Sequence, residues 1–206
     1  MINENKVKEL LTLDASIIAA TKYGDKEDIK HLYDLGIRNV GENRDKSFLE
    51  KYEELSNLDI KWHFIGTLQT KKVKSLINKI DYLHSLDSIK LANEINKYRV
   101  KPLECFIEVN ISKEETKEGI FVEDLDFFIE ELKKYDKIKV VGLMTMAPNT
   151  DDIEIISNCF YQLSLLKDKY NLKYLSMGMT NDYMIALKYG ATHLRLGRIL
   201  FDGVDK

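Results

Sequence analysis

The sequence predicts an α/β fold, a (β/α)8 barrel of the TIM type, on three observations. Short apolar runs of strand length recur eight times along the 206 residues. Stretches with the apolar spacing of amphipathic helices lie between them. With two prolines in the whole chain and no Gly/Ser-rich stretch, nothing marks a boundary, so a single domain over residues 1–206 is expected.

Each element follows from its residues. Ser16 to Lys22, "SIIAATK", carries an apolar run suited to a strand buried on both faces in a parallel sheet. The same reading gives strands at Ile37 to Gly41, Ile60 to Gly66, Ile80 to Leu86, Leu103 to Ile111, Ile138 to Met146, Leu172 to Gly178 and Thr192 to Gly197. Helices are expected at Asp25 to Leu35, Arg44 to Leu55, Thr70 to Asn78, Ser88 to Arg99, Val122 to Tyr135, Asp151 to Tyr170 and Asn181 to Tyr189. In "LDSIKLANEINKY", Ile89, Leu91, Ala92 and Ile95 have amphipathic spacing, and Asp87 or Ser88 stands at the cap. Strands alternating with helices make βαβ units, and eight of them argue for a closed barrel. That fold usually takes about 250 residues, so the loops must be short and the last helix nearly absent.

Hydrophobic residues at 44% and charged residues at 32% describe a soluble globular chain. A net charge of -3 supplies no broad basic field for nucleic acid. The opening "MINENKVKELL" is polar and acidic where a secretory signal needs a basic start and an apolar stretch, and no run reaches membrane-spanning length. A cytoplasmic protein off the membrane is expected. Cys105 and Cys159 come without a CxxC or a His cluster, so both read as reduced structural thiols and no metal site is expected.

In such a barrel the site forms at the carboxyl ends of the strands. There the sequence places Lys22, Asn43, His63 to Gly66, His84 to Asp87, Asn110 to Ser112, Met144 to Pro148, Ser176 to Asp182 and Arg195 to Arg198. Lys22 either frays into solvent or is aimed into a mouth shared with an amide, two imidazoles and an arginine. A lysine there can form a Schiff base with an aldehyde, provided desolvation or a nearby cation lowers its pKa from about 10.4. Phosphate needs backbone N–H groups and helix N-termini. "GMTND" offers the small Gly178 and the Thr180 hydroxyl where a helix opens, and Gly197 lets the chain come close to a ligand after the last strand. Thr180 could equally cap the helix opening at Asn181. An arginine inside "THLRLGR" needs a partner, which favours a functional Arg195. Trp62, His63 and His84 read as packed in the barrel wall, and Met144 and Met146 as core filler. A lysine aldehyde trap facing a phosphate site describes a pyridoxal 5′-phosphate pocket, with aldolases as rivals.

The same residues carry a family pattern. "TK" closes the first strand, "GEN" ends 21 residues later, and "KWHFIGTLQTKK", "HSLD", "LMTMAP", "LSMGMTNDYMIALKYGATHLRLG" and "LFDG" follow in order. With these motifs the chain resembles, over nearly its whole length, the pyridoxal-phosphate homeostasis proteins, single-domain relatives of the barrel half of alanine racemase. The resemblance implies a pyridoxal-phosphate barrel of fold type III. It implies the cofactor held as a Schiff base on Lys22, with Asn43 beside its ring and Arg195 facing the pyridine nitrogen. Thr180 and the backbone at Gly197 and Arg198 would hold the phosphate, with Ser176 as a further phosphate neighbour. The implied role is to hold the vitamer and pass it on, as a monomer with recipient apoenzymes as partners and without robust catalysis.

The chain departs from the pattern in four places. Thr21, Lys22 and Tyr23 stand where the family usually has Ser-Lys-Thr, and Thr180 replaces a serine but keeps the hydroxyl. Arg198 stands where threonine is common, which removes a hydroxyl and brings a guanidinium. "TLQTKK" lacks the usual asparagine. Two rivals remain: an amino-acid racemase on the same cofactor, and a cofactor-free Schiff-base lyase acting through Lys22 on a sugar phosphate. Against the racemase stand Arg195, which opposes protonation of the ring nitrogen, and an expected single domain without the second one that gives alanine racemase its opposing base.

Overall fold

The computed structural model describes residues 1–114 and 117–202. β1 (Ser16–Ala20) pairs in parallel with β2 (Asn39–Glu42) on one side and β8 (His193–Leu196) on the other. From β2 the sheet runs through β3 (Lys61–Phe64), β4 (Tyr82–Leu86), β5 (Leu103–Asn110), β6 (Ile138–Met144) and β7 (Tyr174–Ser176) back to β8, every pairing parallel. Pairing of β4 with β5, Tyr82 opposite Glu104, completes the ring. The eight expected strands therefore form a closed parallel barrel, and a two-residue strand at Ile120–Phe121 pairs with β5 outside it.

Side chains alternate along each strand between the barrel interior and the layer beneath the helices. Ile17 and Ala19 join the main core, whereas Ala20 faces the mouth. Trp62 meets Phe48 edge-on at 5.5 Å in the helix layer. Inside the ring, Phe106, Val141 and Met144 make a small separate cluster.

One helix follows each of the first seven strands: α2 (Lys26–Asp34), α3 (Asp45–Leu55), α4 (Val73–Leu76), α5 (Ile89–Tyr98), α6 (Leu125–Leu132), α7 (Ile153–Lys169) and α8 (Tyr183–Lys188). Asp25 and Asp28 form a capping box on α2, Ser88 caps α5 and Asp152 caps α7. After β8 comes only a single 3-10 turn, Arg198–Leu200. A helix the periodicity does not predict, α1 (Glu4–Leu10), packs against that turn and buries Val7 and Leu10. The two ends of the described chain are joined there. Asn3 N–H donates to the Leu200 carbonyl at 2.9 Å, Asp202 N–H donates to that of Met1 at 2.7 Å, and Ile2 bridges to Phe201.

Several expected strands run too far toward their carboxyl ends. β1 stops at Ala20, and Thr21–Tyr23 turns away as a 3-10 helix. β6 stops at Met144 and β7 at Ser176. Backbone bonds from Thr145 N–H to the Ser176 carbonyl and from Met177 N–H to the His193 carbonyl carry the pairing one residue further, and Lys22, Met146, Met179 and Thr180 beyond them line the cavity described below. The helix expected at Thr70 to Asn78 divides into a 3-10 turn, Thr70–Lys72, and the single turn of α4. Gly203 of "LFDG" lies outside the described residues, as does the rest of 203–206.

Candidate functional site

The carboxyl ends of the strands enclose a cavity of about 370 Å³. Six of the seven expected site residues line it: Lys22, Asn43, Thr180, Arg195, Gly197 and Arg198.

Lys22 sits exposed on the wall, one residue after a buried clamp. The Thr21 hydroxyl donates to Glu42 Oε1 at 2.6 Å, and Lys51 Nζ, from α3, donates to the same oxygen at 2.5 Å and to the Thr21 carbonyl at 2.7 Å. Glu42 is 1% exposed, and its Oε2 has no hydrogen-bond partner. The clamp fastens α3 to the ends of β1 and β2 and fixes the peptide leading into Lys22. Sequence reasoning missed both Glu42 and Lys51. The signal was present in "GEN": a carboxylate closing a buried strand, with a lysine nine residues on in the next helix.

Asn43 follows Glu42 onto the rim. Its backbone passes so close to β3's end that a Cβ at Gly66 would lie 2.3 Å from the Asn43 carbonyl oxygen. Only glycine fits there. On the opposite half of the ring, Gly178 takes φ +93°, and a Cβ would come 2.7 Å from Ala186 Cβ. The turn it makes carries Thr180 to the cavity. α8 opens at Tyr183 with Asp182 at the N-cap, so Thr180 does not cap it. Asp182 accepts instead from Met179 N–H at 2.6 Å, leaving the first turn of α8 without a side-chain cap. Gly197 caps the turn Arg198–Leu200, also without a side-chain bond. Two turn N-termini without side-chain caps thus border one cavity; at α8 the Asp182 and Tyr183 N–H groups already donate to the Met179 carbonyl, so the turn after Gly197 is the better placed to favour an anion.

Three cationic side chains, Lys22, Arg195 and Arg198, face one carboxyl, Asp182, whose pKa burial raises. Arg195 is 5% exposed. Burial lowers its pKa to about 10, with Glu108 and Asp182 pulling the other way, so it stays charged at neutral pH. Glu108 in turn is pushed up to about 7 by burial, against the attraction of Arg195.

Ser176 corrects an expectation. It is wholly buried, and its Oγ accepts from Arg195 Nη1 at 2.5 Å and bonds His84 Nδ1 at 2.8 Å. The pleat points it into the ring beneath Arg195, off the cavity wall. His63 and His84, placed by the sequence at the mouth or in the wall, are wholly buried inside the barrel. Met144 fills the interior as expected, but Met146 is 39% exposed and lines the cavity. Cys105 and Cys159 are buried free thiols, each pushed up by burial. Among the described residues no group of His, Cys, Asp or Glu could hold a metal ion.

Residues 3–204 match the family described as the alanine racemase N-terminal domain. The chain is 42% identical over 196 residues to the pyridoxal phosphate homeostasis protein of Aquifex aeolicus, a match covering 91% of this chain and 86% of that one. It belongs to the pyridoxal phosphate homeostasis proteins of the alanine racemase N-terminal family. The protein of the same name from Helicobacter pylori strain 26695 is 36% identical over 192 residues, covering 90% of this chain and 86% of that protein. PipY of Synechococcus elongatus, solved with pyridoxal phosphate bound, superposes with a TM-score of 0.87 at 28% identity, over 96% of this chain and 99% of PipY. An alanine racemase of Clostridium difficile shares the fold at a TM-score of 0.79 and 18% identity, over 98% of this chain and 56% of the racemase. Among the described residues no helix is long and apolar enough to cross a membrane.

Proposed function

We propose that this protein, a single barrel domain, holds pyridoxal 5′-phosphate in the cavity, attached through Lys22, and passes the vitamer to recipient apoenzymes instead of turning over a substrate. It does so as a cytoplasmic monomer. The observation that carries the reading is the buried, charged Arg195 lining the same cavity as Lys22 and two uncapped turns.

The cavity's donor set fits that group. A volume of about 370 Å³ lies in the small-ligand range of roughly 300–1,000 Å³. A phosphate dianion suits the Thr180 hydroxyl, the backbone at Gly197 and Arg198, and the Arg198 guanidinium. Arg195 only donates hydrogen bonds, so the atom opposite it must be an acceptor and is not helped to take up a proton. Bound there, the cofactor supplies an aldehyde that condenses with a primary amine. Lys22 is the amine on this wall. Racemisation needs acid–base groups on both faces of a carbon. Among the described cavity residues the other charged groups are two arginines and Asp182, whose carboxyl is held by Met179 N–H.

The test is titration with pyridoxal phosphate, borohydride reduction and mass mapping. Reduction should add the cofactor's mass to the Lys22 peptide, and Lys22→Ala should fold normally by circular dichroism yet lose the absorption of covalently attached cofactor. Persistence of that absorption in Lys22→Ala would move the attachment elsewhere. Incubation with L-alanine and chiral chromatography should show no D-alanine, whereas turnover near about 1 s⁻¹, the low end for ordinary enzymes, would make the protein a racemase.

A further inference from the structure

Beneath Arg195 a chain of polar side chains crosses the barrel interior. Arg195 donates through Nη1 to Ser176 Oγ at 2.5 Å and through Nη2 to the Thr145 carbonyl at 3.0 Å. Ser176 Oγ lies 2.8 Å from His84 Nδ1, His84 Nε2 lies 2.9 Å from His63 Nδ1, and His63 Nε2 lies 3.1 Å from Asn39 Oδ1. Ser176, His63 and His84 are wholly buried. Asn39, at the start of β2, is half-buried and outside the cavity.

The chemistry of its two ends orders the whole chain. A guanidinium can only donate, and an amide oxygen can only accept. Asn39 Oδ1 therefore places the His63 proton on Nε2. In a neutral ring this leaves His63 Nδ1 to accept from His84 Nε2–H, and His84 Nδ1 to accept the Ser176 hydroxyl proton. Ser176 Oγ then has its lone pairs free for Arg195. Every link is satisfied and every donor points away from the cavity. Protonation of His63 would set its Nδ1–H against His84 Nε2–H, and protonation of His84 would turn the Ser176 hydroxyl from donor to acceptor at that link; burial holds both rings neutral, their pKa well below the usual range. The chain ends in a guanidinium and an amide, so it is an orienting device and not a proton path.

Such a device matters because Arg195 has competing partners. Glu108 and Asp182 both attract its charge. Without a fixed acceptor at Ser176 only the Thr145 carbonyl holds the guanidinium against the pull of either carboxyl.

We propose that Asn39, His63 and His84 are positioning residues that fix the Ser176 hydroxyl beneath Arg195 and so hold Arg195 with its remaining donors toward the cavity. For the ligand served, this rests on the pyridoxal phosphate reading; for the relay it does not, because the first readout needs no cofactor.

The experiment starts with ¹⁵N-labelled apoprotein at pH 7 and long-range proton–nitrogen correlation of the histidines. His63 and His84 should both be neutral with the proton on Nε2, and Arg195 should show a guanidinium in slow rotation. A charged ring, or a proton on Nδ1 of either, would overturn the relay. Two variants at one position follow. His84→Phe keeps the ring stacked on Phe106, 4.4 Å away, but severs both links. His84→Gln offers an acceptor and a donor in their place. In His84→Phe the slow Arg195 rotation should be lost and pyridoxal phosphate should bind about tenfold more weakly, the loss of one charge-assisted hydrogen bond. It should also shift the absorption maximum of bound cofactor. His84→Gln should restore all three to near wild type. If His84→Phe folds with unchanged Arg195 rotation and affinity, or if Gln and Phe behave alike, the positioning role is refuted. A wild-type protein that binds no pyridoxal phosphate would sink the cofactor reading alone, because the apoprotein signals would still decide the relay.

Discussion

Arg198 brings a guanidinium to a place where backbone donors already converge. It is half-buried, adjoins Gly197 and begins the turn whose N-terminus borders the cavity. A threonine there would offer one hydroxyl, whereas the guanidinium can meet two phosphate oxygens at once. Arg198→Ala should therefore weaken pyridoxal phosphate binding by about 1.5 to 3 kcal/mol, the range for hydrogen bonds to charged groups, with Arg198→Lys recovering part of it. Fluorescence titration checks this; equal affinities would leave the anchoring to the backbone alone. Lys22 and Arg195 could be found in the sequence because a charge beside or inside an apolar strand is anomalous. Ser176, His63 and His84 could not be placed as well. Their roles depend on partners such as the one 92 residues away across the ring, and no local pattern encodes that pairing.

At the scale of elements, the Glu42–Lys51–Thr21 clamp converts helix packing into a position for Lys22. Lys51 has a side chain only 13% exposed, so it cannot be replaced cheaply by water. Lys51→Ala leaves the Glu42 carboxylate buried with one partner fewer, a change that typically costs about 3–5 kcal/mol, and the urea midpoint of the apoprotein should fall accordingly. The double variant Glu42→Leu with Lys51→Met should regain most of that stability, as apolar replacements of buried pairs do, yet still attach the cofactor more slowly. Full recovery of the attachment rate would reduce the clamp to a stability device. The strands themselves were legible from apolar runs of the right length. Their carboxyl ends were not, because residues such as Thr21 and Met146 keep the apolar or β-branched character of the strand beyond its last paired residue. α1 escaped notice for a different reason. With Val7 and Leu10 as its buried residues, it has one i,i+3 pair, and its stability comes from the chain's far end.

For the molecule as a whole, the barrel interior beneath Arg195 keeps its imidazoles neutral, and this sets the response to acid. Three of the four histidines lie inside the ring. Burial holds His63 and His84 well below 6.5 and lowers His193 to about 4. In the unfolded chain each titrates near 6.5. Above that pH neither state is protonated and the neutral imidazoles contribute in full. As pH falls below 6.5 the unfolded chain takes up protons that the native ring refuses, and each imidazole removes about 1.4 kcal/mol of stability per pH unit. Glu108 works in the opposite sense. Its native pKa of about 7 stands above the ordinary 4.5, so the native state gains on the unfolded one as pH drops from about 7 toward 4.5. Asp87 and Asp182, also raised by burial, act in the same sense as Glu108, and the three imidazoles, titrating in the unfolded chain nearest neutrality, set the net loss on acidification. His193→Phe isolates one of them, since His193 meets Phe106 and Tyr174 edge-on at 5.1 and 5.0 Å in surroundings suited to a phenyl ring. Urea midpoints of apoprotein at pH 7.5, 6.5 and 5.5 should fall for wild type, and fall less for His193→Phe by about 1.4 kcal/mol per pH unit below 6.5. Stability that is level or rising toward pH 5.5 in wild type would mean that the ring accepts charged imidazoles, and the neutral interior on which the placement of Arg195 depends would be lost with it.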